Sequence, residues 1–357
     1  MTTNSDLLLE ELSKVKIGGG GDCPELSISG LRDGLKHAIK NSIAYVFTDA
    51  SAKDYDQYEV TKDLIQSTQT TVNFLTTGDC EERSTLGFQV YEMLARVSNG
   101  QVYDMNTNDI TKVLLAIRFM LNDNFIALRS IDAEKPGSSE NMFYIDSTMT
   151  ELSMSLSGST PKMVLKNPKN ETVIGEEFSL ANLQIVQLKN PIPGKWTVEV
   201  SSSSSHSIRL GAISTLKFEF GFSLDTPSKI VETLYQPLKG QKNVLSIFIS
   251  DSALLKSLSS VTIILIDSGS KRKRRDVVNF ANSLKKVSEN IYATEAFDIP
   301  NQMFKIQING ADSFGNVIER SISTSIESVL PSILTNFNEL LNCILFNFIF
   351  ISQLHQK

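Results

Sequence analysis

The chain has 357 residues, which exceeds one typical domain and predicts roughly two or three. Its 41% hydrophobic and 21% charged residues are typical of a globular protein and exclude a disordered one. The net charge of -6 argues against nucleic acid as the main partner. The three histidines are scattered and the three cysteines form no CxxC pair, which excludes a histidine metal cage, a zinc ribbon and thioredoxin chemistry.

The first 130 residues predict strands that alternate with helices. A helix is predicted at 6–15, and Pro24 suits the first turn of a second helix that follows the glycine run. Compact apolar runs at 42–49, 71–79 and 100–105 are typical of strands, and the segments between them have helical spacing. This alternation predicts βαβ units with a parallel sheet.

The stretch "KIGGGGDCPELS" at 16–27 admits three interpretations: a phosphate loop, a metal loop or a plain connector. It lacks GK[ST] and follows a helical segment rather than a strand, which argues against both nucleotide fingerprints. Asp49 and Asp79 end predicted strands, and open parallel sheets bind ligands beyond those carboxyl ends. Together with Asp22 they would suit Mg²⁺ or Ca²⁺. Alternatively, Asp22 and Asp79 are helix caps or turn residues.

From about residue 140 the pattern changes to short runs with a period of two residues, which predicts all-β sandwiches. Trp196 begins one such run after a Pro-Gly turn and is expected to anchor a core. A second set of runs follows a boundary near 217–225. The apolar tail at 333–352 contains uninterrupted apolar stretches far shorter than the ~20 residues of a membrane span, so an amphipathic or foreign tail is expected instead.

Three motifs carry a resemblance to a known family. "GGGGDCPE", "YVFTDASAKDY" and "TGDCEERSTLGFQVYEMLARVSNGQVYDM" resemble the von Willebrand factor A domain of the hemicentins, and later segments resemble the two β-sandwiches that follow it in those proteins. The resemblance implies an incomplete, doubly wound α/β domain followed by two all-β sandwiches. The implied divisions are a partial A domain at 1–130, a galactose-binding-like sandwich at 138–217, an immunoglobulin-like sandwich at 218–327 and an apolar tail at 328–357.

The resemblance also implies a metal-ion-dependent adhesion site made of three loops. Asp49 matches the third loop, and the glycine run with Asp22 matches the second. The first motif, D-x-[ST]-x-S, has no match in the chain. We therefore expect Asp22 and Asp49 to be the remaining ligands of an incomplete site, which binds Mg²⁺ or Ca²⁺ in the intact parent and no cation in this chain.

The motifs "GDCPE" and "TGDC" are paired features of the resembled family, and they imply a disulfide between Cys23 and Cys80. It would close a loop of more than fifty residues and stabilise the fold by about 3–4 kcal/mol on the chain-entropy view. Such a bond requires an oxidising compartment. The alternative is two free thiols in a cytosolic protein.

Two further signals concern modification. Asn170-Glu171-Thr172 is an N-glycosylation acceptor in a predicted turn. The basic residues Arg272, Lys273, Arg274 and Arg275 lie in a predicted loop that is solvated by default. In a secreted parent this basic run has the form of a proprotein-convertase site, and it could also bind heparin or another anionic surface.

These observations predict a secreted, non-enzymatic protein of the extracellular matrix or of cell adhesion. Its expected partners are matrix or cell-surface proteins and a possible glycan, without nucleic acid or a membrane span. No signal peptide opens the chain, and we expect it to have been lost with a missing start. The alternatives are an intracellular A-domain scaffold with reduced cysteines, and a metal-assisted hydrolase with Asp49 as ligand, for which no nucleophile or base stands at a recognisable spacing.

Overall fold

The computed structural model describes residues 4–15, 23–78, 83–266, 277–279, 284–321 and 324–331. It contains one parallel sheet with helices, followed by four antiparallel sheets. Within the described residues, no helix combines the length and the apolar character that crossing a membrane requires.

The first unit is an α/β arrangement, as the alternating pattern predicts. Its helices are α1 Ser5–Lys14, α2 Ser27–Leu35, α3 Tyr58–Thr68, α4 Leu86–Ser98 and α5 Ile110–Ile117. Its strands are β1 Ile43–Thr48, β2 Thr71–Thr76 and β3 Val102–Asp104. The strands are parallel and lie in the order β1-β2-β3. Pro24 does not lie in the first turn of α2, because that helix begins three residues later at Ser27.

Strand β2 is buried on both faces, including its polar residues Asn73 and Thr76. Phe74 faces the helices, and its ring stacks on Tyr91 of α4 with the centroids 4.6 Å apart. Leu75 faces the other way, in a cluster that contains Ile117 of α5 and Leu183 of the second unit. The parallel sheet therefore lies between its own helices and the next unit of the chain.

The second unit consists of two antiparallel sheets that share one core. Its strands are β4 Phe125–Ala133, β5 Gly137–Ile145, β6 Met149–Ser157, β7 Lys162–Lys166, β8 Thr172–Val173, β9 Glu176–Ser179, β10 Leu183–Lys189, β11 Gly194–Ser202 and β12 His206–Ser214. The sheet orders are β4-β12-β6-β10-β9 and β5-β11-β7-β8. Trp196 is buried in the shared core, and its indole nitrogen donates to the Ile192 carbonyl at 2.9 Å, which confirms the predicted anchor.

The expected start of this unit at residue 138 is too late. Strand β4 pairs with β12 along most of its length, so it belongs to the second unit although the sequence pattern assigned part of it to the first. The cause is local, because β4 follows the helical turn at Arg118–Leu121 after only three residues. The unit therefore begins at Phe125.

The third unit also consists of two antiparallel sheets. Its strands are β13 Phe218–Ser223, β14 Lys242–Ile249, β15 Leu255–Leu265, β16 Val277–Asn279, β17 Lys285–Ser288, β18 Ile291–Ala293, β19 Phe297–Asp298, β20 Phe304–Asp312 and β21 Val317–Ser321. One sheet has the order β13-β14-β18-β17, with β19 also on β14, and the other has the order β16-β15-β20-β21. Phe222 and Phe304 meet edge-to-face in the core between the sheets.

Buried charges connect the second and third units. Arg320 of β21 lies 2.6 Å from Asp146, which follows β5, and both side chains are almost fully buried. Asp312 of β20 accepts hydrogen bonds from the amide and hydroxyl of Ser147. Burial opposes the ionisation of Asp312, but hydrogen bonds from Ser147 and Asn316 outweigh it and lower the pKa of this carboxyl to about 2.

This junction predicts a defined pH dependence of stability. A carboxyl whose pKa is lower in the folded state stabilises the fold above its ordinary pKa near 3.8, and the contribution is lost as the pH falls towards about 2. We expect Asp312→Asn to lower the free energy of unfolding by about 2 kcal/mol at neutral pH. The difference from the parent chain should shrink between pH 4 and pH 2.

Urea unfolding at a series of pH values measures this effect. Asp225→Asn, at an exposed carboxylate in a turn of the third unit, is the matched control and should follow the parent chain. If Asp312→Asn and the parent chain differed by the same amount at pH 2 and pH 7, the assignment would be wrong.

Candidate functional site

The carboxyl ends of the three parallel strands form one rim of the sheet. Strand β1 ends at Thr48, and Asp49 follows it with an exposed side chain. The amide of Thr77, just after β2, donates to the Thr48 carbonyl at 3.1 Å. The first two strands therefore end side by side, and Asp49 lies on the rim as its position after a strand predicts.

Gly78 fits closely against the backbone of Asp49. A Cβ atom at position 78 would lie 2.6 Å from the Asp49 carbonyl oxygen, which is inside any ordinary contact distance. Only a residue without a side chain allows the loop after β2 to come this close. The contact fixes the backbone that carries the Asp49 carboxylate.

Tyr91 of α4 holds the loop after Asp49 by a hydrogen bond. The buried Tyr91 hydroxyl donates to the Ala50 carbonyl at 2.9 Å and lies 2.6 Å from the Ser27 hydroxyl of α2. Burial raises the pKa of Tyr91 above its usual value, so the phenol stays protonated and can donate. In the same loop, the amide of Ala52 donates a hydrogen bond to the Gly87 carbonyl of α4.

The segment after the glycine run is bonded to this same loop. Glu25 donates its amide to the Ser51 carbonyl at 2.9 Å and accepts from the Lys53 amide at 2.8 Å, which makes a short parallel bridge. The buried Asp54 carboxylate then accepts from the first amides of α2, at Ile28 and Ser29. Residues 23–25 are therefore fixed beside the loop that follows Asp49.

Cys23 lies in this segment and is disulfide-bonded. The two other cysteines of the chain are Cys80 and Cys343, and both lie outside the described residues. Asp22 and Asp79, the other two candidate acids, also lie outside them, as do Arg272, Lys273, Arg274 and Arg275.

A further carboxylate on the rim was missed from the sequence. Asp104 ends β3, forms an ion pair with Arg83 and accepts from the Asn182 amide of the second unit at 2.5 Å. Its position at the end of the run "VYD" was the available signal. Arg83 neutralises the Asp104 carboxylate, which distinguishes it from the exposed Asp49. The hydrogen bond from Asn182 connects the rim to the second unit.

Within the described ranges, no group of three or more histidine, cysteine, aspartate or glutamate side chains is placed to hold a metal ion. Asp49 can supply one oxygen ligand to a hard cation.

Asn170 lies in an exposed turn with a φ of 62°, a conformation that asparagine tolerates, and Thr172 begins the short edge strand β8.

Comparisons with known proteins agree with this architecture. Residues 1–107 match the family model described as von Willebrand factor A domain, and residues 127–215 match the one described as hemicentin galactose-binding domain-like. The chain is thus an A-domain protein in its first unit. Its second unit matches the galactose-binding-like domain of the hemicentins, and the hemicentin-like resemblance predicted from the sequence is confirmed.

Individual relatives show the extent of the similarity. Human hemicentin-1 is 30% identical over 338 residues, which cover 93% of this chain and 6% of that protein. Mouse hemicentin-2 is 29% identical, with 93% of this chain and 7% of that protein covered. Human von Willebrand factor A domain-containing protein 7 is 25% identical over 67% of this chain and 29% of its own length. The chain therefore spans a small part of each relative.

Among solved structures, the propeptide form of the Bacillus licheniformis lipase BlEst2 aligns with a TM-score of 0.31 and 11% identity, over 84% of this chain and 82% of that chain. A similarity this low does not establish a shared fold.

The contact at Gly78 leads to a matched pair of substitutions. We expect Gly78→Ala to destabilise the fold by about 1–3 kcal/mol, because the new methyl group would displace the Asp49 backbone. Gly30→Ala, in α2 where no atom lies within 4 Å of the added Cβ, should stabilise it by about 0.5–1 kcal/mol. Urea unfolding of both variants checks this, and equal effects at the two glycines would contradict the close packing at the rim.

Proposed function

We propose that this chain is the adhesive part of a secreted, non-enzymatic protein of the extracellular matrix, and that its rim is the site of adhesion. The similarity to hemicentins supports the class of protein. The observation that carries the proposal is the position of Asp49, which is exposed at the carboxyl end of β1. Gly78 packs against its carbonyl, and Glu25 is hydrogen-bonded to the loop that follows it.

In this proposal Asp49 and Asp22 are the ligands of a Mg²⁺ or Ca²⁺ ion. Asp22 immediately precedes Cys23, and Glu25 is hydrogen-bonded to the loop that follows Asp49. Three residues of extended chain span at most about 10 Å, a length compatible with the proposed role of Asp22. Two carboxylates leave coordination positions open, and a carboxylate of the bound partner would take one of them.

A disulfide between Cys23 and Cys80 would join the two loops beside Asp49. Cys80 follows Gly78 by two residues, and Gly78 lies against the Asp49 carbonyl. Cys23 precedes Glu25 by two residues on the other side of the same loop. Gly78 and Glu25, which lie two residues from Cys80 and Cys23, contact the same loop. This pairing is therefore favoured over one with Cys343, and it implies an oxidising compartment.

The two β units would hold the rim away from the rest of the protein. We assign the first as galactose-binding-like and the second as immunoglobulin-like, at 125–214 and 218–327. An N-linked glycan on Asn170 would project from an exposed turn of the first. The basic run at 272–275 would serve as a cleavage or anionic-surface segment. Turnover of a substrate would distinguish a metal-assisted hydrolase, the least favoured alternative, from an adhesin.

Cation binding tests the assignment of Asp49. Titration calorimetry of this chain should show Mg²⁺ or Ca²⁺ binding weaker than about 10⁻³ M, because two carboxylates make an incomplete site. The chain should also attach to matrix proteins in a way that EDTA reverses. Asp49→Ala should reduce both by at least tenfold, whereas Asp225→Ala should leave both unchanged. Equal binding by the two variants would exclude Asp49 as a ligand.

Peptide mapping without reduction tests the secreted assignment. We expect mass spectrometry of the native protein to find a Cys23–Cys80 linked peptide and a glycan on Asn170. Thr172→Ala should remove the glycan, and Thr172→Ser should keep it because serine preserves the acceptor motif. Free thiols at both cysteines, with an unmodified Asn170, would indicate an intracellular scaffold instead.

A further inference from the structure

Strand β8 is an open edge of the second unit. Among the residues that the structure describes, it pairs with β7 and with no other strand. Neither its residues nor Ile174, which follows it, are charged or proline, and these are the features that usually protect an edge from pairing. The second unit is described from its first strand to its last. A strand missing from within the unit therefore does not account for the open edge.

Two aliphatic side chains lie on the outer face beside this edge. Val173 packs on the core of the second unit, whereas Thr172 and Ile174 on either side of it are exposed. Because side chains alternate along a strand, these two face outward. Leu165 of β7 pairs with Val173, so one further step of the register brings Ile174 beside Val164. Ile174 is 86% exposed and Val164 is 39% exposed, and together they form an outer aliphatic pair.

The N-glycosylation acceptor lies at the start of the same edge. Asn170 is exposed in the turn that joins β7 to β8. The side-chain oxygen of Asn167 fixes this turn, since it accepts from the amides of Lys169 and Glu171 at 2.9 and 3.0 Å. The Asn167 carbonyl accepts from the Asn170 amide at 2.8 Å. These bonds involve the backbone of Asn170, and its exposed side chain is accessible for glycosylation.

We propose that the N-linked glycan on Asn170 folds across the β8 edge and packs its first two sugars, both N-acetylglucosamine, on the outer aliphatic pair. This placement rests on the proposed function, because a glycan of this kind is added to secreted proteins. Four residues of extended chain from Asn170 to Ile174 span at most about 14 Å. The asparagine side chain and two linked sugar rings can cover this distance.

The chemistry of these sugars matches that of the surface. An N-acetylglucosamine ring has a face of C–H groups and an acetyl methyl group, which gain free energy when they leave water for an aliphatic surface. Its hydroxyl groups can stay in water, so no polar group is buried without a partner.

The neighbouring edge strand β9 shows the contrast. It begins with the exposed Glu176 and Glu177, whose charges protect the edge of the other sheet. Strand β8 has no such charges, and a bulky, hydrated glycan across it would prevent another strand from pairing there. The glycan on Asn170 would therefore protect β8 as the two glutamates protect β9.

Thermal unfolding of the full chain, secreted from cultured animal cells, tests the packing. Asn170→Asp removes the glycan and keeps a residue that tolerates the turn conformation. We expect it to lower the Tm by roughly 1–2 °C in the parent chain. In an Ile174→Ser background the loss should be less than half as large, because the sugars then lack their aliphatic contact. Val231→Ser, at an 82% exposed valine of the third unit, is the matched control background and should keep the full loss. Equal losses in the two backgrounds would overturn the proposal.

Hydrogen exchange measures the cover on the edge directly. The amides of residues 172–175 should exchange several-fold more slowly in the glycosylated chain than in Asn170→Asp, at every protein concentration. Slower exchange that develops only as the concentration rises would overturn the proposal and assign the edge to a second copy of the chain.

Mass spectrometry of the same samples separates this inference from the proposed function. An unmodified Asn170 would overturn the glycan and count against the secreted assignment. A glycan on Asn170 that changes neither the Tm nor the exchange would overturn only its position on the β8 edge.

Discussion

A parallel sheet must be covered on both faces, and in this protein one of the covers comes from another unit of the chain. Leu75 and Tyr103 on the far face of the sheet pack with Leu183 and Ile185 of β10. Polar groups at the same contact are also matched, since the Gln101 side chain bonds to Ser155 and Ser207. The α/β unit and the first β unit are therefore parts of one packed structure.

Hydrogen bonds from Arg209 of β12 contribute to the contact between these two units. Its guanidinium donates to the Gly100 carbonyl of the first unit and to the Asp132 carboxylate of β4. Burial opposes the ionisation of Asp132, but Arg209 and Lys305 of the third unit keep its pKa below the usual value. Lys305 also donates to the Ser130 hydroxyl at 2.5 Å. The half-buried Asp132 carboxylate thus interacts with cations from both β units, beside Gly100 of the α/β unit.

The regular elements could be predicted because their apolar residues have clear periods. Strand β2 was predicted from its apolar residues Val72, Phe74 and Leu75, and the alternation in β11 places Trp196 inside. The start of β4 could not be predicted, because that strand follows a helical turn almost directly and carries Arg129 and Ser130 in place of a clean alternation. Pro24 was misplaced because the chain makes the bridge at Glu25 before α2 begins.

Only those residues of the candidate site that have an informative position in the sequence could be predicted. Asp49 was found because it follows an apolar strand, and Asp104 was missed although it ends a shorter one. The groups that hold the rim together could not be found, because Tyr91 and Gly78 act through contacts between distant segments. Contacts between units could not be predicted for the same reason. Ser155, Gln101 and Arg209 are polar residues of types that usually lie on the surface, and only the fold shows that they are covered.

The buried pair of Arg320 and Asp146, with Asp312 beside it, has a mechanical meaning. Tandem units usually respond to tension by bending at a flexible linker. Here the connection between the second and third units is made by ionic groups that water does not reach. A pull between the second and third units would therefore act directly on these buried bonds, and the two units would move together.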